Sequence, residues 1–221
     1  METRLKICFV SILSMVFMIF KAYAYDDNDF QVWHTENQEV KINQKWKATG
    51  EQEFRLSDNG GDLYYQHYDL GFVYGLSKNI DLGINYRQVL EKDSKGKFRT
   101  ENRPHINGTI KWELFDFKFD DRNRFEYRNF ETKHAFWAYR NKFGIKTPWK
   151  FTKFEIQPYL ADEIFINFNS TGFSRNRFYA GLGMSFFKHL KGEIYYLRQN
   201  SNSSGNWITA NVLGTKLKLI F

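Results

Sequence analysis

From Gln44 to Phe221 one pattern recurs: apolar or aromatic side chains at every second position, polar or charged ones between, interrupted by turn-rich segments. Neighbouring side chains of an extended strand point to opposite faces, whereas a helix repeats about every 3.6 residues, so this period specifies strands. The stretch RNRFEYRNF, Arg122 to Phe130, places Arg122, Arg124, Glu126 and Arg128 on one face, with Phe125 and Tyr127 on the other. In residues 175–187, Phe178, Ala180, Leu182, Met184 and Phe186 oppose Arg177, Tyr179, Gly181, Gly183 and Ser185. In residues 62–76, Tyr64, Tyr68, Leu70, Phe72, Tyr74 and Leu76 share the face opposite His67, Asp69, Gly71 and Gly75. Segment 98–114 gathers Arg99, Glu101, Arg103, His105, Asn107, Lys111 and Glu113 on a single face.

Strands are predicted over 44–56, 62–76, 80–90, 98–114, 117–130, 135–147, 154–166, 175–187, 190–200 and 207–221. Longer polar connections at 57–61, 91–97, 131–134, 167–174 and 201–206 are expected to alternate with tight turns at 77–79, 115, 150 and 188–189. That rhythm fits a bacterial outer-membrane barrel, where long external loops face short periplasmic turns. Composition agrees, with 23 Phe, 13 Tyr and 6 Trp in 221 residues and only 3 Pro. The last strand, WITANVLGTKLKLIF, sets Leu213, Leu217 and Leu219 opposite Lys216 and Lys218 and ends on Phe221. It is similar to the closing strand by which outer-membrane proteins are delivered to their assembly machinery, which makes that machinery an expected partner.

The first residues, METRLKICFVSILSMVFMIFKAYA, place Arg4 and Lys6 before an apolar run from Ile7 to Phe20 and small residues at Ala22 and Ala24. This is the layout of a secretory signal peptide cleaved after Ala24. The run is shorter than the ~20 residues a spanning helix needs. Loss of Glu2, Arg4, Lys6 and Lys21 takes the formal charge from +7 to +5, and loss of Cys8 removes the only cysteine. No later segment is apolar enough to span as a helix, so an exported chain of this kind enters a membrane only as a barrel.

The predicted fold is therefore an all-β transmembrane antiparallel barrel of about ten strands, with twelve as the alternative and a polar, basic lumen. Residues 1–24 are assigned to the signal peptide, 25–43 to an N-terminal segment that is periplasmic, lumenal or partly paired, and 44–221 to the barrel. The middle segment stands apart because FQVWHTENQEVKI, Phe30 to Ile42, has no apolar face through its centre: His34, Glu36 and Gln38 oppose Thr35, Asn37 and Glu39. Ten strands after it would leave both termini in the periplasm.

With apolar faces toward lipid, the charged faces line the interior, and basic residues there outnumber acidic ones. The candidate lumenal cluster is Arg55, Arg99, Glu101, Arg103, Arg122, Arg124, Glu126, Arg128, Arg140, Glu163 and Arg177. Two functions compete for it. A structural or binding barrel would fill its interior with ion pairs, since a narrow barrel encloses little free space. An anion-selective channel would use the excess Arg and Lys to attract acidic solutes or oligosaccharides. An enzyme of membrane lipids is the third class. None of His34, His67, His105, His134 and His189 has Ser two residues on, and only His67 with Asp69 could form a base and its orienting partner. No catalytic, cofactor or metal residue is assigned, and export argues against nucleic acid.

Trp33, EQEFRL with Arg55, RNRFEYR, PYLADEIF, RNRFYAGLGMSF and the terminal KLKLIF follow in order. In that order they resemble the family known as domain of unknown function 2490. The resemblance covers nearly all of the chain after the leader and implies a bacterial outer-membrane barrel surrounded by lipid. It supplies no activity and no catalytic residue.

Overall fold

The computed structural model describes residues 27–221 apart from Ser170 and Ser204, so the proposed signal peptide lies outside the described residues. The described residues form eleven strands and no helix. They are β1 (Asp29–Lys41), β2 (Trp46–Ser57), β3 (Asp62–Gly75), β4 (Ile80–Lys92), β5 (Phe98–Leu114) and β6 (Phe117–Phe130), then β7 (Phe136–Lys146), β8 (Gln157–Asn167), β9 (Gly172–Phe187), β10 (Leu190–Ser203) and β11 (Asn206–Ile220). Consecutive strands pair antiparallel, and β1 closes the sheet into a barrel by pairing in parallel with β11.

The first strand is where structure and expectation part. Residues 25–43 are not a segment beside a ten-strand barrel, since 29–41 pair along their length with both β2 and β11. An all-antiparallel closed barrel needs an even number of strands, which is why ten and twelve were the expected counts. A single parallel seam relaxes that rule and lets an eleventh strand close the ring. The start of β1 and the end of β11 consequently sit at opposite rims.

The rims are called here the N rim, where β1 begins, and the C rim, where β11 ends. Connections 58–61, 93–97, 131–135, 168–171 and 204–205 lie at the N rim, and 42–45, 76–79, 115–116, 147–156 and 188–189 at the C rim. The expected alternation of long and short connections is absent. Strand pairing runs further into the polar segments than their composition suggested, and the longest connection, 147–156, falls where a tight turn was expected. It carries a small hairpin of its own, bridged between Phe151 and Ile156.

Alternation decides which side chains point inward, except at bulges. Register slips between Arg55 and Leu56 opposite β3. The slip turns Tyr64 inward beside Tyr65, away from the outer face it was expected to share with Tyr68 and Leu70, and its hydroxyl donates to Gln31 Oε1 at 2.8 Å. Both tyrosines are buried, as a bulge that adds one residue to a strand requires. The interior also holds an apolar cluster of Trp33, Ala161, Tyr179, Tyr195, Leu197 and Val212.

Tyr195 reaches that cluster by lying over Gly214 of the neighbouring strand, where an added Cβ would meet its ring carbons at 2.0 and 2.2 Å. Gly214→Ala should therefore expel the ring from its seat and destabilise the barrel by about 1–3 kcal/mol. Urea unfolding in micelles, followed by tryptophan fluorescence, measures this, and the double variant Gly214→Ala/Tyr195→Ala should recover part of the loss. An unchanged midpoint for the single variant would show that the packing is slack.

Candidate functional site

The interior charge is organised by strand register. Each of β2 to β9 sends alternate residues inward, and cross-strand pairing then sets which charges meet. On β2, β3 and β4, Arg55 donates to Glu53 at 2.6 Å, while Arg87 donates to Asp69 at 2.8 Å and to Glu51 at 2.7 Å. The Arg55 guanidinium is stacked over Trp33 at 3.8 Å and Tyr65 at 4.1 Å. His67 is held between the Tyr65 hydroxyl at 3.1 Å and Glu51 at 3.0 Å. The expected pairing of His67 with Asp69 does not form, because Arg87 and Asn85 occupy the Asp69 carboxylate.

Near the N rim, the Glu101 carboxylate receives two guanidiniums, each through two N–H groups. Arg103 donates at 2.6 and 2.6 Å and Arg128 at 2.7 and 3.0 Å. Glu163, 1% exposed, is the hub of the central interior. Arg140 donates to it at 2.8 Å, Arg122 at 3.0 Å and the Tyr179 hydroxyl at 2.9 Å, with Arg177 at 3.5 Å. Glu126 is buried with only Arg140 within ion-pair reach, at 3.7 Å.

The structure thus gathers ten of the expected charges in three groups: Arg55 with the aromatic stack, Glu101 with Arg103 and Arg128, and Glu163 with Arg122, Arg140 and Arg177, next to Glu126 and Arg124. Arg99 stands apart. It sits at the N rim, bonded to Asp93 at 2.9 Å and Glu131 at 3.2 Å. The Arg99 hydrogen bond holds the loop carboxyl of Asp93 below its ordinary range.

One part of the site is not neutralised. Along β6 and β7, Lys118 is paired with Lys146, Arg122 with Lys142 and Arg124 with Arg140. Like charges directly opposite one another on a sheet repel, so these pairs need counter-charges. Of these six cations, Glu163 serves Arg122 and Arg140. Among the described residues, Arg124, Lys142, Lys118 and Lys146 have no carboxylate within ion-pair reach. Arg124 donates Nε to Asn107 at 2.6 Å and keeps a buried Nη1 with no partner. Lys142 rests its ammonium over the Tyr179 ring at 3.9 Å.

This basic ladder borders an interior cavity of about 90 Å³, whose lining carries eight Arg and Lys against four Glu. A second cavity of about 210 Å³ continues it toward the C rim, sharing Arg122, Lys142, Tyr159, Glu193 and Lys216 and adding Asp120 and Lys146. Among the described residues, no cluster of three or more His, Cys, Asp or Glu could hold a metal ion.

The candidate cluster read from the sequence omitted Lys142, Lys216, Glu51, Glu53 and Trp33. Parity put both lysines and both glutamates on inward faces, and only register reveals which of them converge. Trp33 is absent from that cluster because its segment carries no apolar face to mark it as a barrel strand.

Fold and interior together define a class: a closed β-barrel with a buried charge network and a basic internal cavity. The chain belongs to the family described as protein of unknown function DUF2490, whose model matches residues 30–210. The match begins inside β1 and ends early in β11. No curated protein matches the chain.

Proposed function

We propose that this protein is an outer-membrane β-barrel whose lumen is polar and basic and which serves as a binding barrel closed to through-flow. The observation that carries this reading is the unequal exposure of inward-facing side chains. At the N rim, Gln31, Trp33, Ser57, Asp62 and Glu101 are 0–3% exposed although they lie near the ends of their strands. At the C rim the inward-facing Lys47 and Lys111 side chains are 40% and 47% exposed. The interior is a cup, floored by ion pairs and aromatic rings at one end and open at the other.

A membrane setting is supported by the outer face, where Leu70, Phe72, Ile84, Ile106, Phe125, Trp137, Leu182 and Leu213 are exposed. Hydrocarbon around the wall inverts the usual placement of apolar residues, as in outer-membrane barrels. Polar residues on that face satisfy one another: Asn176 donates to Asp162 at 2.9 Å, and Asn123 accepts from Tyr139. Export by the N-terminal leader and delivery to the assembly machinery through the strand ending at Phe221 complete the reading, with the C rim toward the periplasm. Among the described residues, no serine or cysteine lines the cavity beside His67, and no enzymatic role is proposed.

The excess of cations favours a second reading, an anion-selective channel for acidic solutes, which requires the floor to open. Purified protein in planar bilayers separates the two. The closed barrel gives no conductance steps at any salt concentration, and steps with an anion preference would establish the channel instead. Cell fractionation tests the setting: the protein should stay with outer membranes after alkaline carbonate extraction, and release into the soluble fraction would end the membrane reading.

A further inference from the structure

We propose that the interior cavity binds a small oxyanion, a phosphate or carboxylate group, at the basic ladder of β6 and β7, a proposal that rests on the closed-barrel reading above.

The ladder has the layout of a funnel. Lys118 and Lys146 are exposed at the C rim, Arg122 and Lys142 are half-buried further in, and Arg124 and Arg140 are buried at its inner end. Lys216 of β11 lines both cavities from the strand that closes the barrel. Carboxylates are present, but all four Glu of the first cavity are already engaged, Glu51 by Arg87 and His67 and Glu53 by Arg55 and Thr35. Glu163 is shared among three guanidiniums, and Glu193 accepts the Tyr159 hydroxyl at 3.3 Å. Asp120 is packed along Gly144, where an added Cβ would lie 3.0 Å from its carboxylate oxygen. None of these comes within ion-pair distance of Arg124, Lys142 or Lys146, although Glu163 and Glu193 act on Lys142 from further away.

A buried guanidinium with an unmatched N–H beside three further cations is costly to keep in place. An anion in the cavity would offset that cost. Guanidinium forks suit planar carboxylates and phosphates, while ammonium groups supply undirected charge, and the ladder offers both. Size narrows the class. The cavities hold about 90 and 210 Å³, below the ~300–1,000 Å³ of sites for drug-sized ligands. One or two oxyanion groups fit, and an oligosaccharide does not.

The two sources of such a group are a free solute and a lipid headgroup. Isothermal titration of the full detergent-purified barrel at low salt, with inorganic phosphate, pyrophosphate, citrate and a short-chain phosphatidic acid, tests both, with choline chloride as the cationic control. Saturable binding of the free anions is expected, weakened about ten-fold or more in Arg124→Gln and in Lys142→Gln, and weakened again by added salt. Saturable binding of phosphatidic acid alone would equally support the site and assign the headgroup as its source.

Lys142→Gln keeps the test decisive should Arg124→Gln fail to fold, because Lys142 is half-buried and makes no ion pair. Absence of saturable binding by every anion, or equal binding by both variants and the wild type, would overturn the proposal. Conductance of the same preparation keeps the two readings distinct. A barrel that binds and conducts loses the closed reading and keeps the site, whereas one that does neither loses the site alone.

Discussion

Replacing Glu163 with alanine is expected to destabilise the barrel by about 3–5 kcal/mol, comparable to the whole stability of a marginal domain. The carboxylate is 1% exposed and bonds Arg140, Arg122 and Tyr179, with Arg177 close by. Its removal strands the buried Arg140 and Arg177 and the half-buried Arg122, so the Arg122–Lys142 and Arg124–Arg140 pairs lose a close negative charge. Glu163→Gln keeps the shape and one acceptor, so its loss should be smaller but of the same sign. Replacing Glu163 and Arg140 together with leucine and methionine should cost less than Glu163→Ala, because an apolar pair leaves fewer charges uncompensated. Urea unfolding in micelles measures all three. A loss below about 1 kcal/mol for the alanine variant would mean that water reaches Glu163 and screens the network.

Trp33→Ala should cost about 3–5 kcal/mol and also breach the floor of the cup. The indole is 1% exposed, donates its N–H to Gln31 at 3.0 Å, and is faced by guanidiniums of Arg55 at 3.8 Å and Arg177 at 4.8 Å. Truncation removes the largest wholly buried side chain of the interior and two cation–π contacts. Trp33→Phe keeps the ring contacts but not the N–H, so it should fall well short of the alanine loss. In planar bilayers the alanine variant should show small conductance steps that the wild type lacks. A sealed, fully stable Trp33→Ala barrel would show that the floor is built by other residues.

Trp33 also marks the limit of what the sequence discloses. Ten strands are legible because each carries its own period-two signal, and in RNRFEYRNF the four charges do face inward while Phe125 and Tyr127 face out. The eleventh strand was missed because both faces of residues 34–39 are polar. Its outward polar groups find their main partners on the neighbouring strands: His34 meets Thr215 of β11 at 2.8 Å across the seam, and Gln52 of β2 donates to Glu36 at 2.5 Å. Those partners are 181 and 16 residues away in sequence, so local composition could not announce them. Tyr64 was misplaced for a related reason: a bulge shifts parity by one residue and leaves no compositional mark.

The sequence by itself determined the strands, the side of each strand that carries charge and the apolar outer face, because these follow from the two-residue period of an extended chain. Only the tertiary structure decided that β1 seals the barrel in parallel, that Glu163 serves several arginines and that, among the described residues, no carboxylate comes within ion-pair reach of Arg124. Those outcomes depend on closure and register, which bring together side chains from strands far apart in the chain. A period is local, whereas the meeting of charges across a closed sheet is not.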